Sequence, residues 1–138
     1  MKKNNRGFTL AELLIVVAII AVLVAIAIPV FTTQLERSRE ATDLANIRAA
    51  YAEVIADYLS NGATKGVDSK GVTIKQQTSG WLIDDGAPKL YTRVDGAEKP
   101  IDLPAVDDSA TVYVHVNDAG EVTVNTSATA SSGTGTTP

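Results

Sequence analysis

Few residues in this chain have both the type and the setting that chemistry needs, and Glu12 stands first among them. It is a carboxylate inside an otherwise apolar run of 22 residues, Leu10 to Phe31 (LAELLIVVAIIAVLVAIAIPVF). An acidic side chain at the centre of a membrane helix costs about 2.5–3.5 kcal/mol on the insertion scale. Glu12 lies near one end of the run, where the cost is smaller. One reading is that it snorkels to the headgroups. The other is that it is kept for a positive partner. No Lys or Arg occurs between Glu12 and Arg37, so such a partner lies outside the span. A free amino group, created by cleavage just upstream on a neighbouring copy, would serve.

The remaining candidates are weaker. His115 is the only histidine and there is no cysteine. A Ser-His triad, a His-rich zinc site, a thiolate metal site and a disulfide framework therefore have no support. Asp84-Asp85 and Asp107-Asp108 offer the hard oxygens that calcium takes, but neither pair has the spacing of a calcium loop, and surface turns are the better reading. No cofactor is expected, with calcium the one cation for which candidate ligands exist. No Gly-rich phosphate loop or nucleophile elbow occurs, and the chain does not read as an enzyme. The net charge is -4. Without Lys2, Lys3 and Arg6, nine positive residues face sixteen negative ones, a balance of -7. Nucleic-acid binding needs clustered cations, so no direct contact of that kind is expected.

The element that positions Glu12 is a helix. At about 1.5 Å per residue the apolar run spans roughly 33 Å, enough to cross a bilayer core. Lys2, Lys3 and Arg6 precede it, which leaves the N-terminus cytoplasmic and sends the rest outward. Pro29 removes one hydrogen bond from the helix. Helical pattern resumes beyond it, so a bend within one long helix is expected.

Gly7-Phe8-Thr9-Leu10-Ala11-Glu12, behind a short basic leader and ahead of a long apolar run, resembles the processing site of type IV prepilins and the related pseudopilins. The resemblance is close over residues 1 to about 60. It implies that a prepilin peptidase cuts between Gly7 and Phe8. It further implies that the new Phe8 amine is N-methylated, and that Glu12 pairs with the Phe8 amine of a neighbouring subunit to set the axial register. Pro29 falls where these proteins commonly bend. Opposite charges at about 4 Å attract far more strongly in a low-dielectric setting than in water, and leaving either bare is costly. Many relatives close the C-terminal region with a disulfide; this chain, without cysteine, resembles pilins of Gram-positive bacteria in that respect.

Residues 32–59 continue as an amphipathic pattern. Leu44, Ile47, Tyr51, Val54, Ile55 and Tyr58 recur at three- and four-residue steps, and Asn61-Gly62 supplies a stop. Glu36, Arg37, Arg39, Glu40 and Asp43 read as a solvated charge run, with Arg39 and Asp43 spaced for an i,i+4 pair. Beyond the helix, Val72-Thr73-Ile74 and Leu90-Tyr91-Thr92 are short strand candidates, Trp81-Leu82-Ile83 is an apolar patch and Asp84-Asp85-Gly86 a turn. The clearest element is a hairpin: Thr111–Val116, a turn at Asn117-Asp118-Ala119-Gly120, then Glu121–Val124. Val112, Val114 and Val116, with Val122 and Val124, face the helix; Tyr113 and His115 face away, His115 as a sheet-surface residue. Asn125–Pro138 is rich in Ser, Thr and Gly and reads as a flexible tail. Its Asn125-Thr126-Ser127 glycan-acceptor pattern is of a kind that arises often by chance.

The expected fold class is α+β and pilin-like: a long N-terminal helix, its first half for membrane or filament core, packed on a small antiparallel sheet. The expected segments are a leader at 1–7, a hydrophobic helix at 8–31, an amphipathic helix at 32–60, a small β domain at 61–124 and a tail at 125–138. By resemblance the function is that of a structural subunit. It is stored as a single-pass membrane precursor, then drawn by the pilus assembly machinery into a homo-oligomeric helical filament on the cell surface, serving adhesion, twitching motility or DNA uptake. A second reading is a pseudopilin of a type II secretion or competence apparatus. A third, from another class, is a secreted binding domain. Ala25-Ile26-Ala27 fits a signal-peptidase site, and cleavage after Ala27 would release a chain starting at Ile28. A plain uncleaved signal anchor completes the alternatives.

Overall fold

The computed structural model describes residues 7–68, 71–86, 88–94 and 97–128. They fall into two compact units, one up to Leu35 and one from Glu36 onward. One helix, α1 (Leu10–Ser60, 51 residues), contributes to both. It continues through Pro29, whose missing N–H leaves the carbonyl of Ala25 without its usual donor. Just beyond, the hydroxyls of Thr32 and Thr33 each donate to the Pro29 carbonyl at 3.0 Å.

In the second unit, the apolar face of α1 is the one that periodicity predicts. Leu44, Ile47, Ala50, Val54 and Tyr58 are buried, while Tyr51 and Ile55 pack partly buried at its margin. Among the described residues six short strands follow: β1 (Val67–Asp68), β2 (Val72–Thr73), β3 (Lys89–Val94), β4 (Ala97–Asp102), β5 (Thr111–Val116) and β6 (Val122–Asn125). β5 is central. It pairs antiparallel with β6 on one edge and with β1 and β2 on the other, Val116 opposite Val67 and Val112 opposite Val72. Val112, Val114, Val116, Val122 and Val124 are all buried in the core with the α1 face, as the alternation predicts. Gly71 runs so close to β5 that a Cβ there would collide with the Thr111 side chain. Gly120, at φ +80°, makes the hairpin turn against the Tyr58 ring.

One element is added to the expectations and two expectations are corrected. First, β3 and β4 form a separate antiparallel ribbon, with Leu90 opposite Ile101 and Tyr91 opposite Pro100. Residues 97–102 (AEKPID) escape a sequence reading because only Ile101 of that strand is buried, and proline is tolerated in a ribbon of this kind. Second, His115 is not on an open surface: it is 1% exposed. Its Nε2 lies 2.9 Å from the Ser127 carbonyl and 3.2 Å from Asn125 Oδ1, so residues at and after the end of β6 cover that face. β6 also takes in Asn125, read as the start of the tail; residues 129–138 lie outside the described residues.

Third, the charge run is not a solvated face. Glu36, Glu40 and Asp43 are buried at 5%, 0% and 0% exposure. Arg39 pairs with Glu36 at 3.1 Å, not with Asp43, and its guanidinium also donates to Gln77 Oε1 at 2.7 Å. Spaced i, i+4 and i+7, the three carboxylates share one helix face, and each accepts main-chain N–H groups from the irregular segment 75–83. Asp43 Oδ2 takes Lys75 N (2.8 Å) and Gln76 N (2.9 Å). Glu36 Oε1 takes Gln77 N and Thr78 N, the latter at 2.7 Å. Glu40 takes Leu82 N and Ile83 N at 2.8–3.0 Å. The physical reason is that this segment has no strand to pair with, so its buried amides need other acceptors. Charged acceptors make strong ones.

Two outcomes follow from the clamp. Glu40→Ala strands two amides and is expected to cost about 2–4 kcal/mol, read by denaturant unfolding of the full chain in detergent. The exposed Glu53→Ala is the control, and a loss no larger than the control's would contradict the clamp. The second concerns pH. Burial pushes the Glu36 carboxyl up, but the amides of Thr78 and Gln77 and the Arg39 guanidinium outweigh it and hold the group below its ordinary value. Its stabilisation is therefore complete above the unfolded value of about 4.3 and is lost as pH falls through the lower folded value. Glu36→Gln should flatten the acid limb of the stability profile below about pH 5; an unchanged limb would count against it.

Candidate functional site

In the first unit, the site around Glu12 is built from a helix start. Thr9 is the N-cap, and Leu13 N donates to Thr9 O at 3.2 Å, the first turn of the ladder. Glu12 N donates to Thr9 Oγ1 at 3.2 Å, while Glu12 Oε2 accepts Thr9 N at 2.8 Å and Thr9 Oγ1 at 2.9 Å. This is a reciprocal capping box, Thr-x-x-Glu at the head of an apolar run. Thr9 is the residue that the sequence reading passed over, although its spacing from Glu12 is the signal for it. The box orients the Glu12 carboxylate at the positive end of the helix dipole, with Oε2 committed to Thr9.

Around the carboxylate the surface is apolar. Phe8 (92% exposed), Glu12, Leu13, Ile15 and Val16 line one shallow concavity. Every residue from Leu10 to Phe31 is exposed, and α1 is long and apolar enough there to cross a membrane. Gly7 lies just outside the helix. A Cβ there would meet nothing within 4 Å, and its φ is not left-handed. Nothing in the fold therefore demands a glycine at that position.

The structure brings Gly7, Phe8, Thr9 and Glu12 into one short segment, with Pro29 further along the same bare helix. The acidic pairs lie elsewhere. Asp84 and Asp85 sit in a 3-10 turn, Asp84–Gly86, both with positive φ. Asp107 opens the turn closed by Ala110 N at 3.2 Å, and Asp108 bonds Ser109 Oγ. Among the described residues, no group of three or more His, Asp or Glu side chains is arranged to hold a metal ion.

The family model of the prokaryotic N-terminal methylation motif matches residues 2–28, the stretch that holds this site. Among curated proteins, the type IV major fimbrial protein FimA of Dichelobacter nodosus is 44% identical over 69 residues, 50% of this chain and 42% of the relative. The type IV major pilin protein PilA of Myxococcus xanthus is 55% identical over 48 residues, 35% of this chain and 22% of the relative. The fimbrial protein EcpC of Eikenella corrodens is 31% identical over 96 residues, 70% and 52% of the two chains. The chain spans about half or less of the length of these relatives. No solved structure matches it. With the methylation motif laid over the capped apolar helix, and major pilins among the relatives, the N-terminal half of this cysteine-free chain is similar to type IV pilins.

Proposed function

We propose that the chain is a structural subunit of a type IV pilus, made as a membrane precursor and polymerised through its N-terminal helix into a surface filament. The observation that carries this reading is the contrast between the two units. From Glu36 onward the chain closes its own core, whereas from Leu10 to Phe31 no side chain is buried. An apolar helix of that length is untenable in water. Lipid covers it in the precursor, and neighbouring copies cover it in the filament.

On this reading residues 1–7 are a leader, cut off between Gly7 and Phe8 by a prepilin peptidase. The open space around Gly7 supports this: a glycine that the fold does not need suits a sequence read by another protein. The new Phe8 amine is N-methylated. Glu12, held at the helix mouth by Thr9, meets the Phe8 amine of the next copy and sets the register. Pro29, which withdraws one hydrogen bond from the ladder, is the point where the helix bends. The partners are further copies of the chain, the peptidase, the membrane and the pilus assembly machinery. No enzymatic step, cofactor or nucleic-acid contact is invoked. The relatives' names favour a pilin over a pseudopilin.

Glu12→Ala is expected to insert in the membrane and be cut, yet to yield fewer filaments, on the order of tenfold or more, because the neighbour's amine is left bare in an apolar setting. Sheared surface filaments are quantified against total membrane protein; wild-type yield in the mutant would sink the pairing role. Replacing Gly7 by leucine leaves the fold untouched and should block processing, so that the full-length precursor accumulates on immunoblots. Normal maturation of that variant would count against peptidase cleavage at this site.

A further inference from the structure

Two buried oxygens in the carboxylate clamp lack a donor. Asp43 and Gln76 are both 0% exposed, and Asp43 Oδ1 and Gln76 Oε1 have no hydrogen-bond partner among the described residues. The two residues belong to one bonded unit, since the main-chain N–H of Gln76 donates to Asp43 Oδ2 at 2.9 Å. The orientation of the Gln76 amide is fixed by its surroundings. Nε2 lies 2.6 Å from the Gly80 carbonyl, 3.1 Å from that of Thr78 and 3.2 Å from that of Val106. Exchanging nitrogen and oxygen would set an oxygen against three carbonyls. With Asp43 as the carboxylate, both orphans are acceptors and neither satisfies the other. The main-chain amides that reach this carboxylate, Lys75 N and Gln76 N, are committed to Oδ2.

We propose that one internal water molecule is a built-in part of the clamp, donating one hydrogen to Asp43 Oδ1 and the other to Gln76 Oε1. Buried polar groups are seldom left unpaired, and water is the smallest species with two donors. A hard cation fits less well. Calcium takes six to eight oxygens, and no cluster of three acidic or histidine ligands exists here among the described residues. Through Gln76 the water ties the buried face of α1 to the carbonyl of Val106, and so to the segment that leads into β5.

The test is water-selective NOE and ROE spectroscopy on the full-length chain in detergent micelles. The expected result is cross-peaks of the sign that marks a long-lived bound water at the amides of Lys75 and Gln76, unaltered by added sodium or calcium. In Asp43→Asn an amide N–H replaces the acceptor and displaces the water. The cross-peaks should vanish while the Leu82 and Ile83 amide shifts hold. If that variant does not fold, the wild-type spectra decide. Absence of bound-water cross-peaks in the wild type, or saturable shifts of those resonances with sodium or calcium, would overturn the proposal.

Discussion

The structure of this chain is arranged around an apolar helix surface that nothing among the described residues covers. Burying one large aliphatic side chain is worth about 1.5–3 kcal/mol, and the stretch from Leu10 to Phe31 leaves a long series of them bare. On the proposed reading, lipid and then other copies of the same helix remove that surface from water. Both exclude water from the backbone, so the segment has to satisfy its own N–H and C=O groups, which a helix does. The exposed point of a helix is its end. There Thr9 and Glu12 satisfy each other's orphan groups, and on the proposed reading the same carboxylate that caps the helix is the charge offered to a neighbour.

From Glu36 onward the same helix has a buried face. Its buried face first carries acids and then apolar residues: Glu36, Glu40 and Asp43, then Leu44, Ile47, Ala50, Val54 and Tyr58. The apolar part packs on the valines of β5 and β6. The acidic part takes the place of a sheet for a segment that forms none, holding its amides one pair per carboxylate. A domain without cysteine has no covalent staple, so it relies on this core and on these charge-assisted bonds. Tyr58 fastens the far end, its hydroxyl within reach of the carbonyls of Ala63 (2.9 Å) and Asp118 (3.2 Å).

What the sequence made legible is what periodicity encodes. The 22-residue apolar run, the three- and four-residue steps from Leu44 to Tyr58, and the strict alternation of Thr111–Val116 each map onto an element of the structure. What stayed hidden depends on long-range partners. The run Glu36–Asp43 has the composition of a solvated face, and only the loop folded against it, some 40 residues away in sequence, makes it a buried one. His115 alternates like a surface residue, and its cover includes Asn125 and Ser127, at and beyond the end of β6. β4 has no apolar stripe to announce it, since its partner β3 supplies the pairing. The Thr9–Glu12 box was readable and local, and it was masked because the same residues also fit the prepilin pattern.

The central claim is that the bare helix begins, in the mature protein, at a newly made amine. Intact mass and N-terminal sequencing of the protein taken from the native cell surface test this most directly. The account predicts a chain starting at Phe8 and heavier by one methyl group, about 14 Da. A chain starting at Ile28 or still at Met1 would contradict it, pointing instead to a secreted domain or a plain membrane anchor.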